Sequence, residues 1–331
     1  MGISVSGSDD GIPTSESWGP APDPSASGCE FCGRADRIAT RYVFDAHRIL
    51  RCRRCTFMWL DPRPSEDDLH AVYDEHYFRN PGFFDGDESA LYGYSDYEEE
   101  RADRCRAFDK LVGRIVDLIQ GDDRLEGASL LDCGCGPGYL LERAHRRGFA
   151  VEGIERNSAA AAAVASRYGF PVHVGALLDY GEGQFDVVTM MDVIEHLHDP
   201  FAALRKVAEL TKPGGLFVVS TMDSDSLVSR IAGKRLEDFR RVREHLYFFT
   251  RHTMTGALER AGFEVLAVKS YGITLTLETL SRRLGNASPL LGRFLGTSAR
   301  ALGLSQSRVH FDPRTKMVVF ARRAGRRQLA S

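Results

Sequence analysis

Between residues 129 and 155 an apolar segment runs into a glycine-rich loop, the loop into a helix-forming stretch, and a second apolar segment ends on an acid. The loop reads Asp132-Cys133-Gly134-Cys135-Gly136-Pro137-Gly138. Glycine at alternate positions lets the backbone turn sharply and approach a ligand where side chains would collide. Residues 139–147 carry apolar side chains at helical spacing and stop at Gly148, which places helix N-terminal N–H groups beside the loop. Residues 150–154 read as a second strand, and the carboxylate of Glu155 at its end can accept both hydroxyls of a ribose. A dinucleotide fingerprint would place its third glycine at position 139, where the chain has Tyr139. The unit predicts a nucleotide-type cofactor site that is not built for a pyrophosphate.

From Ser129 onward strands alternate with helices, the pattern of a doubly wound, parallel α/β sheet. Further strands are expected at 171–174, 216–221, 263–269 and 316–321. A helix over 98–120 leads into the first strand. Ser158 is expected to cap a helix that ends at Gly169, and Asp199 with Pro200 to start one that runs to Leu210. Another helix covers 252–261 and stops at Gly262. Residues 274–304 form an insertion rich in leucine, with Arg282, Arg283, Arg293 and Arg300 against the single acid Glu278. Its pattern predicts two helices divided at Gly285–Asn286 and again near Pro289. Such an insertion can cap the sheet, form an acceptor pocket, make a dimer face or attach to a membrane surface.

Four of the seven cysteines carry a second signal. Cys29-x2-Cys32 and Cys52-x2-Cys55 are nineteen residues apart, inside the range of a zinc site. Two residues between thiols let both sulfurs face one ion, and four thiolates leave no open coordination position, so such a zinc would be structural. Disulfides are disfavoured in a reducing compartment. Cys105, Cys133 and Cys135 read as small buried or loop residues. The organisation expected is a disordered tail over 1–27, a zinc ribbon over 28–64, an aromatic and helical connector over 65–120, and the sheet domain over 121–331.

Hydrophobic residues make up 43% and charged residues 27% of the 331-residue chain, as in soluble proteins with one large core. A net charge of -3 gives no basic field for nucleic acid, although Arg322, Arg323, Arg326 and Arg327 form a local basic tail. No apolar run reaches membrane-spanning length and no signal-peptide pattern opens the chain, so a cytoplasmic protein is expected.

The glycine loop resembles the first motif of the class I S-adenosylmethionine (SAM) methyltransferases. Residues 185–200, which contain Met190-Met191-Asp192-Val193-Ile194-Glu195-His196, resemble that family's fourth strand and turn, and Lys212-Pro213-Gly214-Gly215 its turn into strand five. The resemblance covers roughly residues 105–270. It implies a seven-stranded Rossmann-like sheet that binds SAM, with Asp132 organising the loop and the donor's amino group. Gly134, Gly136 and Gly138 would touch the donor, Glu155 its ribose, and Asp192 would lie near its methionine end. Where many relatives carry an acid in the adenine region this chain has Ala176, so Ala176 and Leu177 would hold adenine by backbone and apolar contact.

Methyl transfer from a sulfonium is an in-line displacement that needs alignment, and a hydroxyl acceptor also needs a base. His245 is the first candidate, in a Glu-His-Leu-Tyr-Phe run similar to that of methyltransferases acting on glycans, lipids and quinone precursors. His196, with Glu195 beside it, is the competitor. The leading expectation is an O-methyltransferase for a small molecule, sugar, glycolipid or secondary metabolite. RNA methylation, sugar C-methylation and a non-catalytic SAM-binding partner protein are the alternatives. The acidic net charge and the absence of an Asn-Pro-Pro-Tyr motif after strand four argue against RNA.

Overall fold

The computed structural model describes residues 28–66, 68–69, 101–120 and 127–325. The expected tail and most of the aromatic connector lie outside these residues. In chain order the ribbon supplies β1 (Ile38–Phe44), β2 (His47–Cys52) and β3 (Met58–Asp61). The main domain follows with α1 (Arg101–Gln120), β4 (Ser129–Cys133), α2 (Tyr139–His145), β5 (Ala150–Glu155), α3 (Ser158–Tyr168) and β6 (Val172–Val174). Next come β7 (Phe185–Met191), α4 (Pro200–Leu210), β8 (Thr211–Met222), α5 (Leu227–Ala232), α6 (Glu237–Arg240), β9 (Tyr247–Phe248), α7 (Arg251–Arg260) and β10 (Phe263–Ser270). The chain closes with β11 (Ile273–Thr276), α8 (Leu277–Ala287), α9 (Pro289–Ala301), β12 (Arg308–Phe311) and β13 (Lys316–Arg323).

Seven strands form one sheet in the order β10-β13-β8-β7-β4-β5-β6, with β13 antiparallel to both neighbours and the β4 to β8 pairs parallel. This is the doubly wound α/β fold expected. Alternate side chains of each central strand enter opposite cores, as the two-residue strand period demands. Leu131, Val188, Phe217 and Val319 pack on one face with α4 and α7, while Leu130, Val187, Val218 and Val318 pack on the other with α1 and α2. Asp199 caps α4 as expected, its side chain accepting from the Ala202 N–H with Pro200 in the first turn. The cap of α3 is Asn157 rather than Ser158: the Asn157 carboxamide accepts from the Ala160 N–H, so Ser158 becomes the first helical residue.

Two additions depart from the bare sheet. The ribbon strands form a second sheet, β1-β2-β3-β9, whose fourth strand comes from the main domain almost two hundred residues later. Phe31 and Phe57 of the ribbon join the same core as Phe201 and Phe249. The insertion is a helical hairpin, α8 and α9, on a two-stranded base of β11 and β12. Its helices part at Ser288, so Gly285 and Asn286 lie inside α8 instead of breaking it. Gly285 serves another purpose there, since a Cβ on Gly292 would stand 2.4 Å from the Gly285 Cα. Among the described residues no helix is long and apolar enough to cross a membrane.

Candidate functional site

The glycine loop lies at the carboxyl end of β4, which has β5 on one side and β7 on the other, the switch point where open α/β sheets bind ligands. The Gly134 and Cys135 N–H groups both donate to the Ile154 carbonyl, at 2.8 and 3.0 Å. Gly134 has φ +75°, and a Cβ there would meet Val193 Cγ2 at 2.5 Å, so the loop can pass only as glycine. Glu155 braces the loop from below. Its Oε2 accepts from the Gly136 N–H and its Oε1 from the Asn157 N–H, each at 2.8 Å. Burial pushes the Glu155 carboxyl up against those backbone bonds. Asp132 is 3% exposed and accepts from Thr189 Oγ1 at 2.6 Å. Burial pushes its pKa up to about 7; the Thr189 bond opposes this and the nearby Glu155 charge adds to it.

β7 is followed at once by Asp192, a non-glycine residue with φ +55°, held in that conformation by its neighbours. The Asp192 N–H donates to Ser220, Ser220 Oγ donates back to Oδ1 at 3.0 Å, and Lys316 Nζ meets Oδ2 at 2.7 Å. The next turn, residues 194–196, carries Glu195 and His196. Glu195 is 1% exposed, and burial with the Asp192 charge beside it pushes its carboxyl up to about 8. Its Oε2 has no hydrogen-bond partner among the described residues.

His196 and His245 come together with ring centroids 4.7 Å apart and planes at 79°. His196 Nδ1 donates to the Glu244 carbonyl at 2.9 Å, and His245 Nδ1 to the Asp238 carbonyl at 3.0 Å. A carbonyl only accepts, so each ring keeps its proton on Nδ1 and its lone pair on Nε2. Burial lowers both pKa values; for His245 the shift is large, with the His196, Arg241 and Lys316 charges adding to it. His196 is half-buried and His245 is 2% exposed.

These elements border one cavity of about 1200 Å3, larger than the ~300–1,000 Å3 of ordinary single-ligand pockets. Asp132, Gly134, Gly136, Glu155, Leu177 and Asp192 form its inner wall, and both histidines face it. Gly138 and Ala176 are not brought to that wall. Gly138 opens α2 with φ +77° and packs on Val164, and Gly175, the neighbour of Ala176, lines the cavity in its place. The outer wall comes from residues 228–241 and from the insertion, including Leu280 and Arg300.

Away from the cavity, Cys29, Cys32, Cys52 and Cys55 converge with all sulfurs within 4.8 Å of one another. Cys29 and Cys55 are 3.4 Å apart and Cys32 and Cys52 3.6 Å, too long for disulfides and close to the edge of a thiolate tetrahedron, ~3.8 Å for metal bonds of about 2.3 Å. The two knuckles repeat one geometry: the Gly33 N–H donates to the Cys29 carbonyl and the Thr56 N–H to the Cys52 carbonyl, with left-handed backbone at Gly33 and Thr56. The hydrogen bond between Cys29 and Cys55 draws the Cys55 pKa down to about 5 and pushes the Cys29 thiol up.

Comparison with known proteins bears on this geometry. Residues 97–268, over half of the chain, match the family described as methyltransferase domain. The chain belongs to this methyltransferase family. It is 46% identical over 106 residues to a ubiquinone biosynthesis O-methyltransferase of Caulobacter vibrioides, covering 30% of this chain and 42% of that one. It is 30% identical over 194 residues to the protein of that name from Pseudomonas aeruginosa, covering 52% and 78%. The chain thus spans less than half the length of the Caulobacter relatives it matches. Among solved structures, the magnesium protoporphyrin IX methyltransferase of Synechocystis PCC 6803 with bound SAM aligns over 79% of this chain and 100% of that one, at 17% identity and a TM-score of 0.46.

Three side chains at the site carried no local signal. Lys316 opens an apolar strand and reaches Asp192 across 124 residues, Ser220 supports the same carboxylate, and Thr189 holds Asp132 from the neighbouring strand. Each contact depends on strand order, which periodicity does not reveal.

Proposed function

We propose that this protein is a SAM-dependent O-methyltransferase, acting on a hydroxyl of a small molecule or of a glycan or lipid acceptor, with His196 as general base. The observation that carries the reading is the pair of Nδ1-protonated histidines facing the cavity beside the glycine loop. Their lowered pKa values keep Nε2 unprotonated at neutral pH, as a base for a hydroxyl requires. His196 ranks above His245 because it is the more accessible of the two. His245 then backs its ring edge to face.

Bound at the loop, SAM would supply the electrophilic methyl group. The residues fit such a cation: Asp132 is a buried acid at the loop, its carboxyl pushed up by burial with the Thr189 hydroxyl bond opposing the shift, so a positive charge beside it would favour its ionised form. Gly134 and Gly136 would pass the backbone along the donor, Glu155 would face the ribose, Leu177 the adenine and Asp192 the methionine end. Gly138 and Ala176 would act from behind, in packing. The cysteine geometry fits a structural zinc ion that holds the ribbon. Similarity to ubiquinone biosynthesis O-methyltransferases favours an oxygen acceptor, and the net charge of -3 weighs against nucleic acid.

His196→Ala is expected to slow turnover by roughly a hundredfold with SAM affinity unchanged in calorimetry. Damage from His245→Ala alone would reverse the ranking. Because a depressed pKa means protonation only well into acid, the acid limb of kcat should fall below pH 6.5, the ordinary histidine value. A second reading rests on Glu195, His196 and His245, whose ligand atoms lie within 4.8 Å of one another and could hold a divalent cation that acidifies the acceptor hydroxyl. Full activity after exhaustive chelation would remove it.

A further inference from the structure

The ribbon and the histidine pair are joined through a short strip of chain. Leu246 donates its N–H to the Glu195 carbonyl at 2.8 Å and accepts at its own carbonyl from the Leu60 N–H of the ribbon at 2.9 Å. Two residues earlier, the Glu244 carbonyl fixes the His196 ring. One residue later, Tyr247 pairs with Trp59 of β3. Residues 244–247 are therefore bonded to the ribbon on one side and to Glu195 and His196 on the other.

β9 is only two residues long, so backbone pairing specifies its register weakly, and a one-residue slip would turn every side chain to the other face. A side-chain lock stands at that point. The Tyr247 hydroxyl lies 2.8 Å from Glu30 Oε2 and 3.0 Å from the His198 carbonyl. Glu30 sits between Cys29 and Cys32, and Arg63 grips both of its carboxylate oxygens and also reaches the Tyr247 hydroxyl. The Glu30 and Arg63 side chains are 11% and 8% exposed. A buried ion pair is poor evidence of stability, and its best attested use is to fix register. Ring packing is provided separately, since Phe57 stacks on Tyr247 with centroids 5.8 Å apart at 25°.

We propose that Tyr247 and Glu30 are positioning residues through which the cysteine ribbon sets the 244–247 strip, and with it the His196 ring, for methyl transfer. The ribbon is then part of the active site's frame and acts on the reaction without touching either substrate. This rests on His196 being the base, and the test separates the two ideas.

Tyr247→Phe removes one hydroxyl and keeps the stacked ring. The downfield proton NMR signal of His196 Nδ1–H, assigned by its absence in His196→Ala, reports the bond to Glu244 directly. In Tyr247→Phe that signal should shift or broaden, and kcat should fall roughly tenfold with SAM affinity within about twofold of wild type. Glu30→Gln should give the same signature, and the double variant should be no worse than the poorer single one, because both act through one contact. An unchanged Nδ1–H signal, even with a lowered melting temperature, would overturn the proposal and leave the lock merely structural. A changed signal with unchanged kcat would support the ribbon's control of the strip and overturn the assignment of His196 as base.

Discussion

The ribbon and the helical insertion are both additions to the same seven-stranded sheet, yet they are built in opposite ways. The ribbon is buried into the domain: Phe57 and Ile49 are fully inaccessible, and Phe57 touches rings from three separate parts of the chain. The insertion stands away from the core. Leu290 is 81% and Phe294 72% exposed, and the hairpin is held by its own close glycine crossing, by its two-stranded base and by an ion pair between Arg308 and Asp103 on α1. One addition is hydrogen-bonded to the strip that holds the His196 ring, and the other forms an outer wall of the cavity. An element that fixes its neighbours has to share a core with them, whereas a unit with little buried surface can open locally at low cost.

The contrast is sharpest in the cysteines. Cys52→Ser should lose about one zinc per chain by metal analysis and lower the melting temperature by roughly 10 °C or more, since folding of such a module is linked to its metal. Should the protein keep its stability without metal, the ribbon would not be the welded element described above. Next in size is Phe57→Ala, which removes a ring from the centre of the aromatic cluster and should cost about 3–5 kcal/mol in chemical denaturation.

Gly292→Ala tests the insertion's own joint. The new methyl would meet the Gly285 Cα at 2.4 Å and N at 2.6 Å, backbone atoms that cannot step aside. A cost of about 1–3 kcal/mol is expected, outweighing the gain of up to ~1 kcal/mol from helix propensity. It should appear as faster proteolysis within 277–301 with ribbon metal content unchanged. Smallest is Phe294→Ala, which should change global stability by less than about 0.5 kcal/mol, because the ring is mostly in water already. A large loss there would show that the hairpin is covered by something in solution.

Most of the sheet could be read in advance because its signals are local. Alternation of strand and helix, the glycine loop, and Asp199 followed by Pro200 each act within a few residues, where chain chemistry dominates. Asn157 displaced Ser158 as a cap because both are good caps one residue apart, and the choice lies in where the chain leaves β5. Glu155 ends β5 as expected, but its oxygens hold two backbone N–H groups, a use that only the folded loop reveals. The packing of Gly138 against Val164 of α3 is of the same kind.

By itself the sequence determined the strand and helix period, the turn chemistry at Gly134 and the four-thiol spacing of the ribbon, all consequences of residue type over short distances. Tertiary structure decided the rest: that β9 completes the ribbon sheet, that Lys316 closes on Asp192, and that two histidines separated by 49 positions meet edge to face with their Nδ1 protons held on carbonyls. Those contacts join segments far apart in the chain, and strand order and packing, rather than any local pattern, bring them within hydrogen-bonding distance.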